Sequence, residues 1–229
     1  MDIIAPIANI MVTTLNGLNA VTGNYGITLI LFAFLIKLAL YRPTQQMYES
    51  QKKMETIKPM MDALKEKHKG DDAKYQEEIV KLYREKGFNP LGGCLPMFIQ
   101  MPILISIWRA LMSQPEILGK SYFLWIRPGA VQALIPGFFA SSLAEPDVAL
   151  ILFYGVMMIL SQQLTPGTGD PTQRQVGLFM SVFFTYMVWT YKWPCALVLY
   201  WSTFQFLSIL QQMATFKPVL APAKSTAKP

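Results

Sequence analysis

Residues 26–42 read GITLILFAFLIKLALYR, an apolar run with one charge inside it, Lys37, before the closing Arg42. A run of this length is about the shortest helix that crosses a bilayer, and a lysine within it costs roughly 2.5–3.5 kcal/mol on insertion scales. Something must hold that charge. In one reading Lys37 snorkels: Tyr41 lies one helical turn further on, and the stem carries the ammonium about 6 Å toward the headgroups. In the other, Lys37 faces a hydrated cavity among further spans.

Composition indicates that such spans exist. Of 229 residues 52% are hydrophobic and 15% charged, where soluble domains carry about a quarter charged. The deficit predicts a polytopic all-α membrane protein: five transmembrane helices, a cytoplasmic antiparallel helical hairpin and an N-terminal interfacial helix. The net charge of +6 does not predict nucleic-acid recognition, because the basic residues sit between apolar segments rather than along one face.

In chain order, residues 1–24 lack Lys and Arg and space Ile3, Ile7, Ile10, Met11 and Leu15 at helical intervals, which predicts an amphipathic helix in the outer interface. The first span is 25–43, with Pro43 discouraging a straight continuation. Residues 44–88 form the hairpin. Met47, Ser50, Met54, Ile57, Met61 and Leu64 make one stripe, and Tyr75, Ile79, Leu82 and Tyr83 a second. Between them Lys69, Gly70, Asp71 and Asp72 stop one helix and cap the next. Met54, Ile57 and Met61 suit packing of one helix on the other and equally suit contact with varied apolar partners. The hairpin is expected to touch the membrane part only at its two ends.

The second span is 89–112, an outer loop follows at 113–147, and the third span is 148–164. A cytoplasmic loop at 165–175 leads to the fourth span, 176–191. An outer turn and the fifth span occupy 192–214, and a disordered cytoplasmic tail 215–229. Fifteen Lys and Arg fall on the hairpin side and four on the other, with Lys37 inside. The positive-inside rule makes the rich side cytoplasmic, the N-terminus outside and the C-terminus inside. Cys94 and Cys195 then lie at opposite faces, too far apart for a disulfide.

The spans hold no Asp or Glu, and His68 is the one histidine, stranded in the hairpin. A hydrolase needs nucleophile and base within hydrogen-bond reach, and a proton pump needs buried carboxylates or histidine. No enzyme, metal site or cofactor is expected, and Gly92-Gly93 lacks the Lys-Ser/Thr of a phosphate loop. The spans do contain Thr28, Gln100, Ser106, Gln162, Gln163, Ser181, Thr185, Thr190, Ser202, Thr203, Gln205 and Ser208. These could bond between helices or line a groove around Lys37. An anion-selective channel or small transporter using Lys37 is the alternative function.

Lys37 followed by Tyr41 and Pro43-Thr44, then NPLGGCLPMFIQMP, Leu124-Trp125-Ile126, Asp170-Pro171, and Pro194 with Leu197-Val198-Leu199-Tyr200-Trp201 together resemble the YidC/Oxa/Alb membrane protein insertases. The likeness covers residues 24–212 in order and spacing. It implies a five-helix core around a hydrophilic groove open to cytoplasm and lipid, in a bacterial plasma (inner) membrane, receiving nascent hydrophobic segments alone or with the Sec translocon and the ribosome. It places Lys37 where the family more often has arginine. The implied groove comprises Lys37, Thr28, Gln100, Gln162, Gln163, Trp201 and Thr203. An implied apolar substrate slide comprises Met157, Tyr200 and Leu197. The likeness implies a short form, without the large extracytoplasmic domain of many Gram-negative members or the long basic tail of some.

Overall fold

A computed structural model describes residues 4–88, 91–165 and 171–216, with only the backbone described at 91–99, 130 and 171–173. Readings placed on Cys94, Asn89, Pro90, residues 166–170 and residues 217–229 lie outside what it describes. The described chain is helical: α1 (Ile4–Thr22), α2 (Tyr25–Ala39), α3 (Tyr41–Lys67), α4 (Asp72–Glu85), α5 (Leu91–Met112), α6 (Pro115–Gly119), α7 (Ala130–Leu134), α8 (Val148–Leu164), α9 (Pro171–Thr190) and α10 (Cys195–Thr215).

Local chemistry explains the breaks. Asn24 caps α2 by accepting from the amides of Gly26 and Ile27 at 2.9 and 3.1 Å. Leu40 caps α2, its amide still donating to the Ile36 carbonyl at 3.0 Å, and α2 and α3 meet there at 62°. Pro43 has no N–H to donate to Ala39, and its ring crowds that carbonyl. The first apolar helix therefore ends at Ala39, before the expected residue 43, and Pro43 lies in the first turn of α3. Gly70, at φ +93°, turns the chain between α3 and α4, and Asp71 caps α4 by accepting from the Lys74 amide at 3.1 Å. Asp147 caps α8 through the Leu150 amide at 2.7 Å.

α10 is the central helix. It packs on α8 and α2, and more lightly on α3 and α5; α1 rests on α5 and α2, and α9 rests on α8. Leu197, Tyr200, Leu29, Phe32, Ile107, Leu111 and Ile151 form its apolar core. α1 buries Ala8, Met11 and Leu15 and exposes Ile10, which falls off the stripe expected for it. Among the described residues α1 is the unbroken helix both long and apolar enough to cross a membrane; α2 and α3 meet that measure only as a bent pair, and α8 is apolar but 17 residues long.

The segment between α5 and α8 folds over one end of the bundle. Leu118, Ile126, Ala140 and Leu143 are buried in it. The Tyr25 hydroxyl bonds Gln114 Oε1 at 2.8 Å, Trp125 Nε1 donates to Asp147 Oδ1 at 3.3 Å, and the amides of Cys195 and Ala196 donate to the carbonyls of Glu145 and Leu143. These bonds tie the segment to α2, α8 and α10, while most of its other backbone bonds close within the segment itself, so it sits as a plug over that end.

At the other end α3 and α4 pack on each other around Ile57, Leu82 and Phe88, with Met54, Met61, Leu64 and Tyr83 against them. Their exposed ion pairs, such as Lys81 with Glu77 at 2.8 Å, contribute little. The base of α3 is more firmly held than its two ends alone would allow. Gln211 Nε2 donates to the Tyr41 carbonyl and to Gln45 Oε1, both at 3.2 Å, its Oε1 meets the Thr44 hydroxyl at 3.0 Å, and Tyr48 packs edge-on against Phe216 at 5.6 Å. Thr215, expected in a disordered tail, instead belongs to α10 and bonds Gln45 at 3.0 Å.

Candidate functional site

A cavity of about 570 Å³ opens between α3, α5, α8 and α10 on the hairpin side of the core. Helical spacing builds its walls. Trp201, Gln205, Ser208 and Gln212 descend one face of α10 in steps of four, three and four; Tyr154, Met158, Ser161 and Thr165 do the same on α8. α3 adds Thr44, Met47, Tyr48 and Gln51, and α5 adds Gln100. None of the described lining residues carries a charge.

The lining is graded. At its inner limit Tyr154 stacks on Trp201 with ring centres 5.9 Å apart and planes 13° from parallel, and Phe184, Trp193 and Trp108 continue that aromatic layer away from the cavity. Towards its mouth the walls turn to hydroxyls and amides. There Gln212 Oε1 accepts from Ser161 at 3.1 Å and its Nε2 reaches Thr165 Oγ1 at 3.4 Å, joining α10 to α8 while the neighbouring Gln211 joins α10 to α3.

Lys37 stands at the wall of this cavity. Its side chain is only 6% exposed, its Nζ donates to Ser208 Oγ at 2.8 Å, and the ammonium lies 5.0 Å from the centre of the Phe204 ring. Ser208 completes the bond geometry by donating its own proton to the Phe204 carbonyl at 2.8 Å. Among the described residues no carboxylate lies within ion-pair distance of Lys37. Burying a charge is costly unless it is paired, and one hydroxyl and one ring face compensate only partly. The site is thus a buried cation beside an uncharged polar cavity, electrostatically suited to a transient anionic group.

Of the residues expected in a groove, Gln100, Gln162 and Trp201 line the cavity and Lys37 adjoins it. The others fall elsewhere. Thr28 is buried near the plugged end, bonded to Thr22 at 2.7 Å and to the Asn24 carbonyl at 3.1 Å, nine residues up α2 from Lys37. Thr203 turns back on α10 to donate to the Leu199 carbonyl at 2.9 Å, and Gln163 is exposed outside the lining. Met157 is half-buried on α8. Tyr200 and Leu197, expected on a substrate slide, are wholly enclosed in the core, because α10 is covered by neighbours on the face they occupy. They offer no surface to a substrate in this structure.

Met54, Ile57 and Met61 face Leu82, Tyr83 and Phe88 and so hold the hairpin together. Ser161, Tyr48 and Gln212 were not among the groove residues expected, and Ser208 was named only among the polar residues of the spans. The polar spacing from Trp201 to Gln212 was the available signal for two of them. A channel through the molecule finds no support: among the described residues the cavity reaches the Tyr154–Trp201 layer, and the core continuing to the plug is mostly apolar, with single buried polar groups such as Thr28 and Ser106 within it.

Comparison with known proteins gives concordant matches. The family model described as 60Kd inner membrane protein matches residues 17–221. A protein of Syntrophobacter fumaroxidans named membrane protein insertase YidC is 38% identical over 207 residues, covering 90% of this chain and 37% of that protein. Its namesake in Legionella pneumophila is 34% identical over 206 residues, covering 90% of this chain and 34% of that protein. Among solved structures, an active YidC insertase crystal structure with the first transmembrane domain resolved superposes with a TM-score of 0.68 at 26% identity, over 90% of this chain and 45% of that one. The chain thus spans a little over a third of the length of the curated relatives it matches.

Proposed function

The chain belongs to the 60Kd inner membrane protein family, and from that premise we propose that it is a membrane protein insertase that receives nascent hydrophobic segments in the cavity beside Lys37 and releases them sideways into lipid. The observation that carries this reading is the pairing of a buried, carboxylate-free Lys37 with an uncharged polar cavity that ends against the Tyr154–Trp201 ring pair.

The physics is that of a shortened barrier. A hydrophilic tail entering the bilayer forfeits its hydrogen bonds to water at a cost of several kcal/mol per group. Gln205, Ser208, Ser161, Gln162 and Gln100 supply replacement partners part of the way, and Lys37 attracts acidic tails. The apolar part of the substrate can leave between α3 and α8, past Met47 and Met158, whose flexible thioethers fit many shapes. None of these steps makes or breaks a covalent bond.

In this reading the five spans are built on α2, α5, α8, α9 and α10. α1 lies in the outer interface, the hairpin and C-terminus face the cytoplasm, and the plug faces out. Ribosome and Sec translocon are the natural suppliers of substrate. The test is reconstitution in proteoliposomes of a small, acidic-tailed, phage-coat-type protein. Insertion by the purified chain without measurable anion flux is the expected result; flux without insertion would overturn the reading.

A further inference from the structure

A second recess, of about 520 Å³, lies at the plugged end between α8, α9 and the covering segment, separate from the cavity beside Lys37. Its size is within the ordinary range for small-molecule sites. Lys192 and Glu145 stand on its lining, with Tyr186 and Trp189 beside them, their rings 5.9 Å apart. Glu145 is held in place: Oε2 accepts from the Ser141 amide at 2.9 Å, and its carbonyl accepts from Cys195 at 2.8 Å. Lys192 sits on the tight turn between α9 and α10 at φ +49°, its amide donating to the Trp189 carbonyl. Further along α8 and α9, Leu152, Phe153, Val182 and Phe183 are exposed.

A ligand complementary to this recess bears an anion and a cation side by side at the head of an apolar body. We propose that the recess holds the headgroup of a zwitterionic aminophospholipid, its phosphate toward Lys192 and its ammonium toward Glu145, with acyl chains along the exposed flanks of α8 and α9. An anionic headgroup would bring net negative charge up to Glu145. A choline headgroup has no N–H to donate to that carboxylate. Tyr and Trp rings at this level are the usual companions of lipid headgroups. The inference rests on the topology proposed above, which puts this end of α8 and α9 at the outer headgroup layer.

The test is native mass spectrometry of the full chain in detergent with equal amounts of phosphatidylethanolamine, phosphatidylcholine and phosphatidylglycerol. About threefold preferential retention of phosphatidylethanolamine is expected, in line with exposed charge pairs. Glu145→Gln keeps an acceptor for the Ser141 amide and should abolish the preference over phosphatidylcholine. Lys192→Gln should lower retention of both zwitterionic lipids about threefold. Equal retention of all three by the unaltered chain, or a preference untouched by either substitution, would overturn the proposal. The measurement needs neither orientation nor insertion, so a failure of the insertase reading would not mimic its failure.

Discussion

The Lys37 ammonium and the Ser208 hydroxyl meet at 2.8 Å from helices that lie 171 positions apart in the chain. This bond turns the charge in the first apolar run into the protein, beside the cavity, where Lys37 is buried. Snorkelling toward the headgroups is not the arrangement adopted. An engaged but unneutralised cation can take up and give back an anionic group.

Lys37→Arg should therefore retain insertion, and Lys37→Glu should lose most of it. At an effective dielectric near 20 a pair about 4 Å apart is worth roughly 4 kcal/mol before desolvation, so a tenfold fall needs only about a third of it. The loss should be large for acidic-tailed substrates and small for neutralised ones, measured at matched expression. Equal activity of the Arg, Leu and Glu variants on both would remove Lys37 from the mechanism.

Replacing Met54, Ile57 and Met61 together by Ser should loosen the hairpin. Truncating a buried isoleucine alone costs about 2–5 kcal/mol, and the three share one small cluster with Leu82 and Phe88. Hydrogen exchange should speed up throughout α4 and the distal half of α3. The base of α3, tied to α10 through Gln211, should stay protected. Uniform deprotection of α3 to its base would show that the Gln211 contacts do not anchor it.

The proposed topology makes a definite labelling pattern. A cysteine at Lys120 should react with an impermeant thiol reagent added to intact cells, and one at Lys67 should react only after permeabilisation. The reverse pattern would invert the orientation.

How far these features could be read in advance depends on the range of the interaction. The helical class follows from apolar runs punctuated by Pro and Gly, and the α2–α3 bend follows from Pro43, four residues after the carbonyl it cannot serve. Asp71 and Asp147 announce helix starts by their own side chains. Lys37 was conspicuous because a charge in an apolar run always needs an explanation. Which hydroxyls surround it was not legible: Thr28 and Ser208 look alike in the chain, but Thr28 bonds Thr22 across the short α1–α2 turn, while the packing of α10 against α2 brings Ser208 to Lys37. The same packing encloses Tyr200, an aromatic that reads equally well as surface or core.

Close approach of α8 and α9 depends on Gly155. A Cβ there would stand 2.8 Å from Cγ2 and 2.9 Å from Oγ1 of Thr185, whose hydroxyl is committed to the Ser181 carbonyl. Gly155→Leu should push the two helices apart and destabilise the protein by about 1–3 kcal/mol. A lowered melting temperature in detergent checks this, and Thr185→Ala, which vacates the space, should restore part of it. An unchanged melting temperature would mean that α9 shifts freely on α8.

The Tyr154–Trp201 layer has a last consequence, for the energised state of a membrane. On the proposed reading, a recess that ends there thins the insulating layer without piercing it, so a polypeptide enters part of the way while protons and other ions still meet that aromatic floor and the plug beyond it. A membrane that holds such a protein can stay electrically charged, and the voltage itself then falls across a shorter distance, concentrating its pull on whatever charged tail rests against that floor.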